Sequence, residues 1–406
     1  MKKIKNILIL AGGDSSRFWP LQNKCLFDFL GKPLFVHIVL AIKDFAQNIF
    51  VVSHSLNQNL FRQEIERINL KNVFLIEQKK DKKGMAEAIL ACEKKIKGEV
   101  LILNGSDILN FSLILPIYLQ RRQGKKTLFL AKIVDEYFPG GYLLMEEKKL
   151  INIKEKPAPK EIPSNKIKLV CDYFFDFDFL LNFLKKIKEE KDDCYETSLN
   201  NILKENKGSD YIDYFNYWYT IKYPWDILPM MNFFLQNQKD KIVLGKNVKI
   251  GKYTKIEGPT FIQDNTIVGD YALIRASHIG RQCLIGGYSE VTRSYLSHQV
   301  FLHRNYVGDS ILDKEVLLGA GACCANFRFD QQPIKSMING KKISTHMKKL
   351  GAIIGEKCKI GVSSILLPGV KIGKKTFIGP GEVIEDDVEE KTFVFKEKRV
   401  KNNFFN

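Results

Sequence analysis

The chain has no apolar run long enough to cross a bilayer. Its longest early one, Ile7 to Ala11, falls far short of the ~20 residues a spanning helix needs and of the apolar core of a signal peptide. Neither a membrane span nor secretion is expected, and the location reads as cytoplasmic. No CxxC pair occurs, and Cys25, Cys92, Cys171, Cys194, Cys283, Cys323, Cys324 and Cys358 show no metal-like spacing with the six histidines, so reduced, mostly buried thiols are expected. The GxGxxG dinucleotide fingerprint is absent, because nothing glycine-like follows Gly13 at that spacing, and there is no Walker loop. Acidic residues are in deficit, 46 against 63 lysines and arginines, for a net charge of +17. That excess is spread through every segment with no basic, aromatic-interleaved stripe, so no nucleic-acid partner is expected, while a phosphorylated small substrate fits. With 45% hydrophobic and 27% charged residues, disordered and fibrous classes are excluded.

What is present has two different periods. The length of 406 residues suits two domains. Over residues 1–235, the bounded apolar runs Ile7–Leu10, Ile49–Val52, Val73–Ile76 and Val100–Leu103 alternate with Pro33–Phe45, Leu60–Ile68 and Met85–Ile96, whose apolar spacing is nearer three to four. The order is βαβαβαβ, which predicts a Rossmann-like, doubly wound, mostly parallel α/β sheet with ligands at the carboxyl ends of its strands. Later strands are expected near Leu128–Ile133, Tyr142–Met145 and Leu169–Phe175.

From about Lys241 the period becomes six. Leu244, Ile250, Ile256, Ile262, Val268 and Ile274 fall in register; Ile279, Ile285 and Val291 resume it one residue out of phase; Ile354, Ile360, Leu366, Ile372, Ile378 and Ile384 repeat it. Neither a helix nor a hairpin needs such a period. A parallel β-helix of hexapeptide repeats does, each triangular coil placing one aliphatic per side in a prism core. This domain is expected over residues 236–395, with a polar, Lys-rich loop excursion near 327–350 and a basic tail at 396–406.

AGGDSSRFWPLQNK follows the first strand. Gly12 and Gly13 let backbone approach an anion, the hydroxyls of Ser15 and Ser16 and the amides from Ala11 onward can cradle phosphate oxygens, and Arg17 and Lys24 bring positive charge. The segment resembles the signature of the sugar-phosphate nucleotidyltransferases, with Gly12, Gly13, Arg17, Pro20, Leu21, Lys24 and Gly31-Lys32-Pro33-Leu34 in place. Family-like elements follow in order: Gln78 with Gly84–Ile89, LILNGSD ending in Asp107, Gly140-Gly141-Tyr142, Glu155-Lys156, and Trp218 with YPWDIL. The resemblance implies attack of a sugar 1-phosphate on the α-phosphorus of an NTP, UTP or dTTP favoured, with release of pyrophosphate. It implies Arg17 on the leaving phosphates, Lys24 between the α-phosphate and the sugar phosphate, Asp107 on Mg²⁺, and Gln78 and Gly84 on the base. Gly141, Glu155 and Lys156 would contact the sugar or its phosphate. Three departures stand out: Ser15-Ser16 replaces the family's Gly-Thr, Thr220 replaces a second metal carboxylate, and LVCDY (169–173) replaces a sugar-contacting segment.

On the repeat half, His303 in HRNYVGDS resembles the general base of amino-sugar-phosphate acetyltransferases, with Arg275, Tyr306 and Asn326 as the matching sugar-phosphate contacts. The resemblance implies acetyl-CoA as co-substrate, a left-handed hand for the β-helix and a homotrimer assembled through it. Here Thr292 and Leu317 replace a lysine and an asparagine. Two further readings remain open on the residues: a non-catalytic trimer that binds nucleotide or sugar phosphate, and an acetyltransferase with a relict first domain.

Overall fold

In the computed structural model the described residues are 3–13, 16–79, 84–147, 149–187, 193–205, 208–395 and 398–401, the last four by backbone alone. They form two compact units, one of residues 1–14 and 33–219, the other of residues 15–32 and 220–406.

The first unit is built on a mixed sheet. Ile4–Leu10 lies parallel between Ala46–His54 and Val100–Asn104, and Val73–Gln78 extends the parallel half beyond Ala46–His54. Ile7, Leu8 and Ile9 are fully buried, as a strand covered on both faces requires. The other half turns antiparallel: Lys166–Phe174 pairs with Val100–Asn104 and with Thr127–Ile133, and Gly141–Glu146 forms a hairpin with Lys149–Glu155. Ser209–Asp213 closes the edge parallel to Thr127–Ile133. The helices Gly84–Leu90, Phe177–Leu184 and Cys194–Lys204 bury Ile89, Leu180 and Leu199 against one face of the sheet. The strand arrangement is thus parallel where the apolar runs are continuous and antiparallel beyond them.

The second unit contains a left-handed parallel β-helix. Its first face stacks Ile242–Leu244, Thr260–Ile262, His278–Ile279, Tyr295–Leu296, Ile311–Leu312, Ile353–Ile354 and Lys371–Ile372. The second face begins at Lys249–Ile250 and the third at Lys255–Glu257. The six-spaced aliphatics point inward: Ile262, Val268, Ile274, Ile279, Ile285 and Val291 share one core with Ile354, Ile360, Leu366 and Ile372. Fully burying each contributes about 1.5–3 kcal/mol. Leu244 and Ile250, in the first coil, stay partly exposed at 46% and 39% because no coil precedes theirs.

The repeat between coils shortens before the excursion and returns to 18 residues after it, where Ile353 pairs with Lys371. Lys246 reaches Asp264 across 18 residues, Cys283 reaches Thr266 across 17, and Asn305 reaches Ser289 across 16. Leu296, Leu302, Val307, Leu312, Leu318 and Cys324 therefore continue the same core out of the original phase. Most corners place a residue in the left-handed region, such as Asn247, Asn265, Gln282 and Gln299 along one edge. The next edge carries Tyr253, Tyr271 and Tyr288 there, ring on ring at 5.0 Å.

The excursion leaves after Cys324 and returns at Ile353. It folds into an antiparallel hairpin, Lys335–Ile338 with Lys341–Ser344, fastened to the prism by buried Ile334 and by the Ser336 hydroxyl, which donates to the Gly369 carbonyl at 3.0 Å. Of the tail, Lys398–Lys401 pairs antiparallel with Thr392–Phe395.

Candidate active sites

In the first unit, Ala11 leaves the central strand with its N–H on the Val52 carbonyl at 2.8 Å. A Cβ on Gly12 would fall 2.3 Å from Gln78 Oε1, so only glycine leaves room for that amide. Gln78 in turn donates through Nε2 to the Gly84 carbonyl at 3.1 Å. Gly12, Gln78 and Gly84, far apart in sequence, thus form one cluster at the carboxyl ends of two parallel strands. Around Gly13 there is open space. Ser15 lies outside the described residues.

Asp107 follows the strand Val100–Asn104 by a two-residue turn and is nearly buried, 5% exposed. Its Oδ1 accepts from Asn104 Nδ2 at 2.7 Å, and its Oδ2 from the Trp218 indole N–H at 3.1 Å. The Trp218 ring is itself set edge-on to Phe138 at 4.8 Å. Among the described residues, no group of three His, Cys, Asp or Glu side chains gathers as a metal cage. An oriented carboxylate fits Mg²⁺, which keeps several waters and takes one or two carboxylates together with substrate phosphates.

On the sugar side of the family pattern, a Cβ on Gly141 would stand 2.8 Å from Ile153 Cγ2 and 3.1 Å from Glu155 Oε2. Glu155 pairs with Lys156 at 3.1 Å, and Lys156 takes a left-handed φ of 43°, its N–H on the Gly140 carbonyl at 3.0 Å. Beside them stands a carboxylate the sequence did not single out: Glu196, on the helix Cys194–Lys204, is pushed up to about 7, first by burial and then by the negative charge of Glu155. The departure at 169–173 is resolved in structural terms. Asp172 is fully buried, holding Lys168 at 2.6 Å and the Tyr195 hydroxyl at 2.7 Å, and burial raises its carboxyl above the usual range.

In the second unit, Ser16, Arg17 and Phe18 form a short turn. The Arg17 side chain hydrogen-bonds the Tyr223 hydroxyl, whose ring stacks on Trp225 at 4.8 Å. Ser16 lines a cleft of about 240 Å³ with Trp19, the hairpin turn at Asn339-Gly340, Lys371 and Asp387. Lys24 opens the turn Lys24–Leu26, and its ammonium lies over the Phe18 ring at 5.7 Å. Its charge also acts on Asp226, a buried carboxyl pushed up to about 6 by desolvation against the pull of two backbone N–H donors, of Lys222 and Tyr223, each at 2.7 Å. Asp226 and Tyr223, from the YPWD turn, are therefore partners of Lys24 and Arg17; no local sequence signal marks that pairing.

On the third face of the prism, Arg275 forms an ion pair with Glu290 of the next coil, and Glu290 is in register with Tyr306. The Tyr306 hydroxyl bonds Asn326. Asn326 donates to Asp309 at 2.5 Å, and Asp309 takes a two-pronged bond from Arg293, 2.7 Å on each arm. A Cβ on Gly308 would lie 2.5 Å from Asn326 Nδ2 and 2.6 Å from the Tyr306 hydroxyl. Tyr306 and Asn326 are thus brought together, with Arg293 and Asp309 added. His303 stands exposed at the corner leading into this strand, its N–H on Asn305 Oδ1 at 2.5 Å. None of the eight cysteines forms a disulfide, and burial pushes Cys92, Cys283, Cys324 and Cys358 up to about 12, which makes them inert thiols.

In the first unit, an amide set by a glycine and an oriented carboxylate thus stand at or just beyond the carboxyl ends of the sheet strands. The chain belongs to the nucleotidyl transferase family, whose model matches residues 6–236. The likeness to two-domain relatives runs nearly end to end. The chain is 30% identical to the bifunctional protein GlmU of Methanococcus maripaludis strain C7, over 96% of this chain and 97% of that one. It is also 30% identical to a bifunctional sugar-1-phosphate nucleotidylyltransferase/acetyltransferase of Sulfurisphaera tokodaii, over 94% and 97%. Among solved structures, a UDP-glucose pyrophosphorylase complexed with UDP-glucose matches with a TM-score of 0.50 at 17% identity, covering 58% of this chain and all of that one, which is a likeness of fold. No helix among the described residues is long and apolar enough to cross a membrane.

Proposed function

We propose that the chain transfers a nucleotidyl group from an NTP, UTP or dTTP, to a sugar 1-phosphate and acetylates an amino-sugar phosphate with acetyl-CoA. The observation that carries the first activity is Asp107, held in one orientation by Asn104 and Trp218. In the transfer, a sugar-phosphate oxygen bonds to the α-phosphorus while the bond to the β-phosphate oxygen breaks, and pyrophosphate leaves with the electron pair. Such a step needs positioning and charge neutralisation rather than covalent help. Arg17 neutralises the leaving phosphates, and Lys24 the α-phosphate and the incoming sugar phosphate. Gln78, set by Gly12 and Gly84, reads the base; Gly141, Glu155 and Lys156 hold the sugar side. Asp107 is the residue that would hold Mg²⁺, which would supply further charge neutralisation. Thr220 offers a neutral oxygen where the resemblance implies a carboxylate, so among the described residues the reading leans on Asp107.

In the second reaction, His303 takes a proton from the amine as its nitrogen attacks the thioester carbonyl and the thiol of CoA leaves. Arg275, Tyr306 and Asn326 hold the phosphorylated sugar. The test is pyrophosphate release across UTP, dTTP and a panel of hexose 1-phosphates with Mg²⁺, and thiol release from acetyl-CoA with an amino-sugar phosphate. Asp107→Asn should remove the first and His303→Ala the second. Thiol release without pyrophosphate release from any pair would leave acetyl transfer as the sole activity.

The same proposal includes a trimer assembled through the β-helix. Ile267, Leu284, Phe301 and Leu317 stand in register on the outer side of the second face, between 36% and 44% exposed. A continuous apolar stripe of this kind supports burial against a second copy. Phe301→Glu should yield monomers by light scattering; a wild type that is monomeric at micromolar concentration would rule the assembly out.

A further inference from the structure

The segment that carries the phosphate-loop cations lies along the first face of the prism. At its far end a Cβ on Gly31 would touch Gln263 Nε2 at 3.1 Å, next to the strand Thr260–Ile262. One coil on, the Leu30 N–H donates to His278 Nε2 at 3.3 Å. One coil further, the Tyr295 hydroxyl donates to the Asp28 carbonyl at 2.7 Å, and the Phe27 ring lies 5.2 Å from the Tyr295 ring. At the near end, the Trp19 ring faces the Lys371 ammonium at 5.1 Å. Lys24 lies in the chain between these anchors.

Two features separate this from ordinary packing. His278 and Tyr295 bond to backbone groups of residues 28 and 30, so they fix the path of the chain rather than a side chain. One of them acts where that path is strained: Leu30, whose N–H His278 accepts, has a left-handed φ of 53°. A branched residue persists in that region only when its surroundings hold it there, and such residues cluster at functional sites. The His278 ring is fully buried between Tyr295, at 4.7 Å and 4°, and Phe261, at 5.3 Å and 27°. Burial holds its imidazole down at about 3, so Nε2 is a lone-pair acceptor at any physiological pH.

We propose that His278 and Tyr295, both coil residues of the β-helix, are positioning residues for nucleotidyl transfer, fixing the backbone that carries Lys24. The proposal rests on the assignment of Lys24 to that reaction. It makes the repeat domain a working part of the first activity as well as the seat of the second.

The test uses the full chain and steady-state pyrophosphate release. Tyr295→Phe keeps every ring contact and drops one hydroxyl; His278→Phe keeps a flat ring and drops the acceptor; His278→Gln restores an acceptor. Tyr295→Phe and His278→Phe should lower kcat about tenfold, with KM for the NTP changed less than about threefold, because misplacement by a fraction of an ångström acts on the reacting geometry. The thermal midpoint should stay within a few degrees, and His278→Gln should recover most of the rate. Unchanged kcat in Tyr295→Phe overturns the proposal, even if His278→Phe fails to fold. So does a loss of kcat that only follows a lower thermal midpoint. Lys24→Ala separates the two layers: if that variant keeps its rate, the role given to Lys24 falls; if it loses its rate while Tyr295→Phe does not, only the positioning claim falls.

Discussion

Trp218 holds Asp107 from across 111 residues of chain, its indole N–H donating to one carboxylate oxygen at 3.1 Å. The tryptophan in the family-like closing segment is thus a hydrogen-bond donor to the acidic residue proposed for the metal. A hydrogen bond to a charged group contributes about 1.5–3 kcal/mol. Trp218→Phe keeps a ring against Phe138 and removes only the donor. The expected result is a fall in kcat for pyrophosphate release of about tenfold and a higher Mg²⁺ concentration for half-maximal rate, read from a metal titration of each variant.

Gly12→Ala places a methyl group 2.3 Å from Gln78 Oε1. The amide must swing away and give up its bond to the Gly84 carbonyl. NTP affinity measured by calorimetry should weaken by roughly tenfold or more, the cost of leaving a buried polar group without its partner.

Glu196 gives a pH signature with a definite sign. Its carboxyl ionises near pH 7 in the folded chain and near 4.5 when unfolded, because burial and the charge of Glu155 oppose ionisation while Lys168 and Lys156 favour it. The folded state therefore binds more protons within that window, and stability falls as pH rises from about 4.5 to about 7. Glu196→Gln removes the titration. It should melt later than the wild type at pH 8, by a difference on the order of 2–3 kcal/mol, and the gap should close towards pH 4.5 in paired thermal scans.

Gly308→Ala tests the β-helix site alone. Its methyl group would fall 2.5 Å from Asn326 Nδ2 and 2.6 Å from the Tyr306 hydroxyl, so the Tyr306–Asn326–Asp309 network must open. Thiol release from acetyl-CoA should fall by about tenfold or more, with pyrophosphate release near the wild-type rate.

How much of this was legible in sequence depends on how local each signal is. Alternating apolar runs located the parallel strands to within a few residues, since a doubly covered strand must be apolar throughout. The hairpin partner Lys149–Glu155 and the edge strand Ser209–Asp213 carry no such run, being only partly buried, and passed unread. The six-residue period located the prism, yet Leu296, Val307 and Leu312 fell outside it because the coils shorten at their corners, which shifts the phase without disturbing the stack. At the sites, the motif residues were visible, but several of their holders were not. Asn104 lies only three residues before Asp107, within the motif itself, whereas Glu196 acts on Glu155 through a separation that no spacing encodes. Leu30 meets His278 across 248 residues, and Tyr295 meets Asp28 across 267.

That last pair of long-range bonds bears on how such a chain can be taken apart. A fragment ending near residue 236 would retain every motif of the first activity but leave Phe27 and Leu30 without the wall they lean on. Swapping in another repeat array would need the same histidine and tyrosine at the same steps of its staircase. On that reading the two halves of this chain are not interchangeable cassettes.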